Sequence, residues 1–212
     1  MSKRHAVATG QTPFTRVKRG VGSVVLRRID LSLDSYEEII TMPHRACADF
    51  GTMEPSCPLQ DRSSAITRRR VRADDCFVAV RNGQAIGTVT LVAPDIDAAC
   101  EHHRRHNVAV IGQLAVDPSW QNRGIGKSLL AFAEHWAATR DYVELSIDVP
   151  DSAERLISFY QRQGFRRVDV VRFAGRRYDS AILSKAPVIA RTLAAWTHRV
   201  ALHGTCPVHF AT

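Results

Sequence analysis

The 212-residue sequence has no apolar run near the ~20 residues that a membrane-spanning helix requires. Its first twenty residues are basic but lack the apolar segment of a secretory signal. Cysteine is sparse: the five cysteines form no CxxC pair, which argues against a disulfide framework and against a zinc site. These absences predict a cytoplasmic protein with reduced thiols and no membrane contact.

The composition is that of a folded globular protein, with 45% apolar and 24% charged residues. The length is sufficient for one well-cored domain. The net charge of +8 is carried largely by arginine, and the densest basic run is Arg68–Arg72. Because no aromatic residue interrupts this run, we favour a solvated helix end over a nucleic-acid surface, which stays as a weaker alternative.

Strand-like and helix-like apolar patterns alternate along the chain and predict an α/β fold with a mixed sheet. In chain order, we expect first a strand over 23–30, a helix from about 34 to 50 that Pro43 bends or splits, and a hairpin of 76–80 and 85–92 around Asn82-Gly83. A strand over 108–116, a helix from 125 and a strand over 142–149 follow. The last elements are a helix that begins at a capping box of Asp151 and Glu154 and ends at Gly164, and a hairpin of 165–173 and 177–183.

The domain organisation predicted is one folded domain over 23–185, between a basic, disordered tail over 1–22 and an extension over 186–212. The extension repeats apolar residues at near-helical spacing, which predicts a helix over 188–202. This helix either covers the core of its own chain, which we prefer, or reaches a second copy of the chain in a homodimer.

The most informative stretch is residues 108–128. A mostly apolar strand pattern breaks at Asp117-Pro118, and a glycine-bearing loop then leads into an apolar helical pattern from Ile125. A helix that begins at Gly124 and Gly126 offers unpaired backbone N–H groups to an anion, and we expect that anion to be a phosphate. The glycine spacing fits neither the dinucleotide-binding GxGxxG pattern nor the P-loop.

The segment Gln121-Asn122-Arg123-Gly124-Ile125-Gly126 resembles the Q/R-x-x-G-x-G/A signature of the GNAT superfamily of N-acetyltransferases. The strand exit at 113–118 is similar to that family's, and residues 158–165 are similar to its second helix, which ends in Tyr-x-x-x-Gly-Phe. The resemblance covers about residues 24–185, and its specific part lies within about 108–166.

This resemblance implies a central mixed, mostly antiparallel sheet flanked by helices, with acetyl-CoA as acyl donor. It implies acetyl transfer to a primary amine, on a small molecule or a peptide, by direct attack in a ternary complex. A backbone N–H of 114–116 would stabilise the oxyanion, and Tyr160 would be the general acid. The residues expected at the cofactor are Leu114, Ala115, Val116, Gln121, Asn122, Arg123, Gly124, Ile125, Gly126, Lys127 and Ser128.

Two positions depart from the family pattern. Gln113 lies near a frequent glutamate, and because an amide cannot accept the proton of an ammonium, the base is unassigned, with Asp148 and Glu144 as weaker candidates. Ala153 lies where relatives often have an asparagine that helps to hold the pantetheine. Both departures support the alternative of a CoA-binding regulatory module without turnover.

Two other chemistries are weaker. Cys76 and Cys100 offer a covalent acetyl-enzyme route, but neither has a histidine and an acid arranged to activate it. His102 and His106 have the spacing of metal ligands on one helix face, but a solvated loop explains them as well, so we predict no metal. The acids between 95 and 101 would suit a cationic acceptor, although no motif identifies one.

Overall fold

The computed structural model describes residues 24–48, 75–188 and 208–210. None of the helices in these ranges has the length and apolar character needed to cross a membrane. The predicted tail over 1–22, the run Arg68–Arg72 and nearly all of the predicted helix over 188–202 lie outside the described residues. The elements are β1 (Val24–Arg28), α1 (Tyr36–Ala48), β2 (Asp75–Arg81), β3 (Gln84–Val92), α2 (Glu101–Arg104), β4 (Val108–Val116), α3 (Ile125–Ala138), β5 (Glu144–Pro150), α4 (Glu154–Arg162), β6 (Arg166–Val171), β7 (Ser180–Lys185) and β8 (Val208–Phe210).

The eight strands form one sheet in the order β6-β7-β5-β4-β3-β2-β1-β8. Neighbouring strands are antiparallel except for the pairs β4–β5 and β1–β8, which are parallel. Helices α3 and α4 pack on one face of the sheet, while α1 and α2 lie on the other. The predicted α/β fold with a mixed, mostly antiparallel sheet is confirmed.

Two predicted turns have the expected backbone. Asn82 and Gly83 between β2 and β3 have φ values of 51° and 81°, as a type I′ hairpin turn requires at both central residues. Gly164 ends α4 with a φ of 90°, and the amide of Phe165 donates to the Tyr160 carbonyl at 3.1 Å. Positive φ at these positions fixes where each element ends.

Two helix predictions can be compared with the structure. Of the two effects expected at Pro43, bending or splitting, splitting does not occur: α1 is continuous, because its apolar face, which includes Ile39 and Met42, packs against the sheet and offsets the cost of the missing N–H. The capping box is not formed: the N-cap of α4 is Ala153, without a side-chain hydrogen bond. Asp151 pairs instead with Arg167 of β6.

The contact between β3 and α3 is tight at Gly87. A Cβ atom there would lie 3.1 Å from Leu129 Cδ1, 3.2 Å from Ile125 Cγ2 and 3.3 Å from the Ala115 carbonyl oxygen. These neighbours are buried core atoms and backbone, so they have little room to move. Glycine at position 87 therefore lets α3 approach the sheet.

We expect Gly87→Ala to destabilise the fold by about 1–3 kcal/mol, because the added methyl group overpacks this contact. Urea unfolding at neutral pH measures the change. Gln84→Ala, at an exposed position of the same strand, is the matched control and is expected to stay within about 0.5 kcal/mol of the parent. Equal stability of Gly87→Ala and the parent would contradict the tight packing.

Candidate active site

Strands β4 and β5 diverge halfway along β4. They pair in parallel from Val108 opposite Glu144 to Ile111 opposite Ile147, and the ladder then stops. Beyond that point β4 continues with β3 to Val116, while β5 continues with β7 to Pro150. Both strands lie wholly within the described residues, so the gap between their second halves is a cleft in the sheet.

A β-bulge lies where the divergence begins. Leu91 of β3 is opposite Ile111, but Thr90 is opposite Gln113, so Gly112 is an extra residue in β4. A bulge bends its strand and changes the direction in which the following residues face. Here it turns the second half of β4, including Leu114–Val116, away from β5.

The loop after β4 leads directly to the start of α3. The Asp117 amide donates to the Ile86 carbonyl at 3.0 Å, and the Asp117 carboxylate accepts from the Ser119 amide at 3.0 Å. Asn122 and Gly124 have φ values of 59° and 85°, and Gly124 is the N-cap of α3. The first-turn amides of the helix, which have no partner inside it, therefore face outward beside the end of β4.

Packing does not explain glycine at position 126. A Cβ there would meet nothing closer than Val116 Cγ2 at 3.7 Å and Phe159 Cζ at 4.0 Å, which are ordinary contacts. The position is nevertheless occupied by glycine, next to the cleft and the unpaired amides. This arrangement fits an anionic group that approaches the backbone closely.

The remaining residues of the motif have distinct positions. Gln121 Nε2 donates to the Val116 carbonyl at 3.2 Å and to the Ala46 carbonyl at 3.4 Å, so its side chain holds the loop against β4 and α1. The Ser128 hydroxyl donates to the Gly124 carbonyl at 2.9 Å. Ile125 is buried in the core, whereas the side chains of Asn122, Arg123 and Lys127 are exposed.

Two arginine side chains pack against the ring of Trp120 beside this loop. The guanidinium carbons of Arg81 and Arg123 lie 4.4 Å and 4.8 Å from its ring centroid. Together with Lys127, these cations give the start of α3 a positive field, in keeping with an anionic ligand.

Tyr160 lies in α4 on the other side of the cleft from these loop residues. It is 2% exposed, and its ring packs edge-on against Phe159 and Phe165, with centroids 5.1 Å and 5.4 Å away. Burial, with a smaller effect of the Asp148 charge, raises the pKa of its hydroxyl well above the usual range. The hydroxyl therefore stays protonated at every physiological pH.

The two candidate bases on β5 are both engaged in ion pairs. Asp148 accepts from Arg176 Nη1 at 2.6 Å, with both side chains nearly buried. Glu144 accepts from the Ser184 hydroxyl at 2.6 Å and lies 3.1 Å from Arg105 Nη1. Burial alone would raise the pKa of Glu144, but the Ser184 hydrogen bond and the His102 and Arg105 charges outweigh it and lower that pKa.

The cysteines and histidines weighed in the sequence lie away from the motif loop. Cys76 is packed between Thr88 and Thr90, and burial raises the pKa of the Cys100 thiol, so a thiolate is disfavoured there. Helix α2 ends at Arg104, so His102 and His106 do not share a helix. Within the described ranges, no group of three or more His, Cys, Asp or Glu side chains is arranged to hold a metal ion.

The family assignment rests on the sequence as well as the fold. Residues 38–165, more than half of the chain, match the model of the Acetyltransferase (GNAT) family. The chain therefore belongs to the GNAT family. Members of this family are acyltransferases, and acetyl-CoA is their acyl donor.

Three relatives illustrate the similarity. An uncharacterised N-acetyltransferase of Methanocaldococcus jannaschii is 36% identical over 101 residues, 47% of this chain and 42% of that protein, so the match spans less than half of its length. S-(2-succino)cysteine N-acetyltransferase of Bacillus subtilis is 27% identical over 142 residues, 66% of this chain and 76% of that protein. A GNAT family acetyltransferase from Elizabethkingia anophelis, solved with acetyl-CoA bound, has the same fold, with a TM-score of 0.56, 18% identity, and coverage of 77% of this chain and 98% of that chain.

Two features of the site were missed by sequence reasoning. One pattern in the sequence could have predicted the bulge at Gly112, namely a glycine inside a strand pattern. No pattern in the sequence predicts the ion pair between Asp148 and Arg176, which joins residues 28 positions apart. Only the pairing of β5 with β7 brings the loop that carries Arg176 to the cleft.

The lowered pKa of Glu144 predicts a pH dependence of stability. A carboxylate with a folded-state pKa below its ordinary value of 4.5 stabilises the protein above that pH, and the stabilisation is lost as the pH falls through the folded-state pKa. Glu144→Gln should therefore be less stable than the parent at pH 7, with a difference that shrinks below about pH 4.5. Urea titrations between pH 3 and pH 7 test this, and a difference that is constant with pH would contradict it.

Proposed function

We propose that the protein transfers the acetyl group of acetyl-CoA to a primary amine, by direct attack in a ternary complex. The observation that carries this proposal is the divergence of β4 from β5 beside the glycine-bearing start of α3. A thioester held in that cleft is open to an amine from the face of the sheet that carries α1 and α2.

The backbone around Gly124 binds the pyrophosphate in this proposal. Positive φ at Asn122 and Gly124 supports it, because this turn directs consecutive amides toward one side, and the helix dipole adds to the attraction. Arg123 and Lys127 supply further positive charge. The proposed contacts are Gln121, Asn122, Arg123, Gly124, Ile125, Gly126, Lys127 and Ser128.

The second half of β4 activates the thioester. Its edge toward β5 has no strand partner beyond Ile111 among the described residues, and β3 takes every second amide of this stretch, so in this proposal the alternate backbone N–H groups over Leu114–Val116 donate into the cleft. When the amine bonds to the carbonyl carbon, the carbonyl oxygen becomes an oxyanion. A hydrogen bond from the backbone stabilises this oxyanion more strongly than the neutral carbonyl, so it lowers the barrier to the attack.

Tyr160 completes the reaction as general acid. As the bond between carbon and sulfur breaks, the tyrosine hydroxyl gives its proton to the thiolate and takes one from the nitrogen of the adduct. Proton transfer to the thiolate alone would leave a tyrosinate, which is unfavourable because burial holds the pKa of Tyr160 far above the ~8.5 of a thiol. The tyrosine therefore has to take up the second proton as it gives up the first.

The ammonium form of the amine loses its first proton before the attack. Gln113 cannot accept it, and the Ser184 hydrogen bond and ion pairs of Glu144 lower the pKa of that carboxyl, which weakens it as a base. Glu144 also lies opposite Val108, at the closed end of the cleft. We therefore assign the removal of this proton to water.

A CoA-binding module without turnover is the second candidate, supported by Gln113 and Ala153. Release of free thiol from acetyl-CoA with a panel of amines, amino acids and peptides distinguishes the two. The panel includes S-(2-succino)cysteine, because a relative is named for that acceptor. Acetyl-CoA binding without thiol release by any acceptor would favour the module.

We expect Gly124→Ala to weaken acetyl-CoA binding at least tenfold in isothermal titration calorimetry, because a side chain disfavours the left-handed backbone that aims the amides. Gly83→Ala is the matched control: its φ of 81° imposes a similar cost of about 1 kcal/mol at the β2–β3 turn. Unchanged affinity in Gly124→Ala, or an equal loss in the control, would contradict the proposed cradle.

For Tyr160→Phe we expect kcat to fall about 100-fold with little change in the KM for acetyl-CoA. Phenylalanine keeps the ring contacts with Phe159 and Phe165, so only the hydroxyl is lost. Tyr142→Phe, whose ring stacks on Trp136, is the control and should retain kcat. If kcat in Tyr160→Phe equals that of the parent at saturating amine, the tyrosine is only a packing residue.

A further inference from the structure

The two faces of the sheet differ in chemistry at the cleft. On β5, Leu145, Ile147 and Val149 point into the core under α3 and α4, so Ser146 and Asp148 face the opposite side. On β4, Ala115 packs with α1, and Gln113 two residues earlier shares that face. Gln113 and Asp148 therefore flank the opening between the strands, on the face from which the acceptor approaches.

Gln113 has an unmet hydrogen-bonding group. Gln113 is only 9% exposed, and its buried Nε2 makes no hydrogen bond to any residue that the structure describes. A buried amide donor without an acceptor costs about 1–3 kcal/mol. An N–H group cannot accept from an ammonium, whereas an oxygen atom of a ligand at this position would satisfy it.

Arg176 provides a second set of donors on the same side of the cleft. Its Nη1 donates to Asp148 at 2.6 Å and to the Ser180 hydroxyl at 2.8 Å, while its guanidinium carbon lies 4.2 Å from the Phe173 ring centroid. Its side chain is only 12% exposed, yet Nε and Nη2 bond to none of the described residues. These open nitrogens form one edge of a planar fork that matches a carboxylate.

We propose that this site selects an acceptor with a carboxylate next to its reacting amine, that is, an α-amino acid or a close derivative. Arg176 and Gln113 donate to the carboxylate, and Asp148 attracts the ammonium. The ion pair of Arg176 and Asp148 has no net charge, and neither has an α-amino acid with its ammonium and carboxylate. Binding of the amino acid therefore buries no net charge. This inference rests on the proposed acetyl transfer and names the acceptor of that reaction.

Matched acceptors test the carboxylate directly. Phenylalanine, serine and alanine are compared with phenethylamine, ethanolamine and ethylamine, which lack only the carboxylate. We expect kcat/KM, followed by thiol release and divided by the fraction of each amine that is neutral at the assay pH, to be at least tenfold higher for the amino acid in at least one pair and in no pair lower. Equal or better use of the decarboxylated amines overturns the inference, while the acetyl transfer itself stands.

Acceptor binding is also measured without turnover. The same amino acids are titrated calorimetrically into the protein saturated with CoA, and acetyl-CoA is titrated into the free protein. Binding of an amino acid but not of its decarboxylated partner supports the inference. If acetyl-CoA binds and no amino acid either binds or is acetylated, the inference fails; if acetyl-CoA does not bind, the proposed function fails as well.

Arg176→Lys keeps the charge beside Asp148 but removes the open edge of the fork. We expect the KM for the preferred amino acid to rise about tenfold, with no change for its decarboxylated partner and no change in acetyl-CoA affinity. Arg172→Lys is the matched control, because Arg172 lies in the same loop and pairs with Asp179 in an exposed position. An equal rise for both acceptors, or in the control, contradicts the role of Arg176.

Gln113→Met separates binding from folding. Methionine has a similar volume and no unmet donor, so the variant should melt at the same or a higher temperature than the parent. If the amide serves the acceptor, the KM for the amino acid rises about tenfold in the same variant. A lower melting temperature with an unchanged KM would show that Gln113 serves the fold and would overturn its assignment.

Discussion

Strand β4 cannot pair with both of its neighbours along its whole length. Its antiparallel ladder with β3 continues to Val116, and that of β5 with β7 continues to Pro150, so only four residue pairs remain between β4 and β5. The extra residue at Gly112 relieves this conflict by turning β4 away. Beyond Ile111 and Ile147, the facing backbone edges have no strand partner among the described residues, and backbone groups at such an edge can bond to a ligand with complementary groups.

The same divergence divides the chemistry between the faces of the sheet. Under α3 and α4 the core is apolar, and it holds Tyr160 in a water-poor setting that keeps its proton. The face under α1 and α2 buries hydroxyls on β3, β5 and β7, the Gln113 amide on β4 and the ion pair of Asp148 on β5. Burial of these polar groups does not by itself stabilise the fold, because their hydrogen bonds and ion pairs must first offset the free-energy cost of removing them from water. The polar face is thus better explained by binding than by folding.

Much of the fold followed from the sequence, because long periodic patterns and glycines with positive φ are local signals. The hairpin at Asn82-Gly83 and the end of α4 at Gly164 are of this kind. The continuity of α1 through Pro43 has the opposite cause: packing of α1 on the sheet, which no local pattern encodes, outweighs the low helix propensity of proline. The motif over 121–128 located the start of α3, whereas the acceptor side depends on contacts between distant residues such as Asp148 and Arg176.

The amide at Gln113 also bears on which amines can react. Without a nearby free carboxylate to take the ammonium proton, the rate at neutral pH follows the fraction of acceptor that is already neutral. An α-amine at a chain terminus has a pKa of about 7.7–8.0 against about 10.4 for a lysine side chain, so its neutral fraction near pH 7 is more than 100-fold larger. A site that lacks a strong base therefore works better with α-amines than with lysine-like amines. At a chain terminus the α-carbon carries an amide carbonyl rather than a carboxylate, so this difference in acidity separates α-amines from lysine-like amines only. The selection of a carboxylate rests on Arg176 and Gln113.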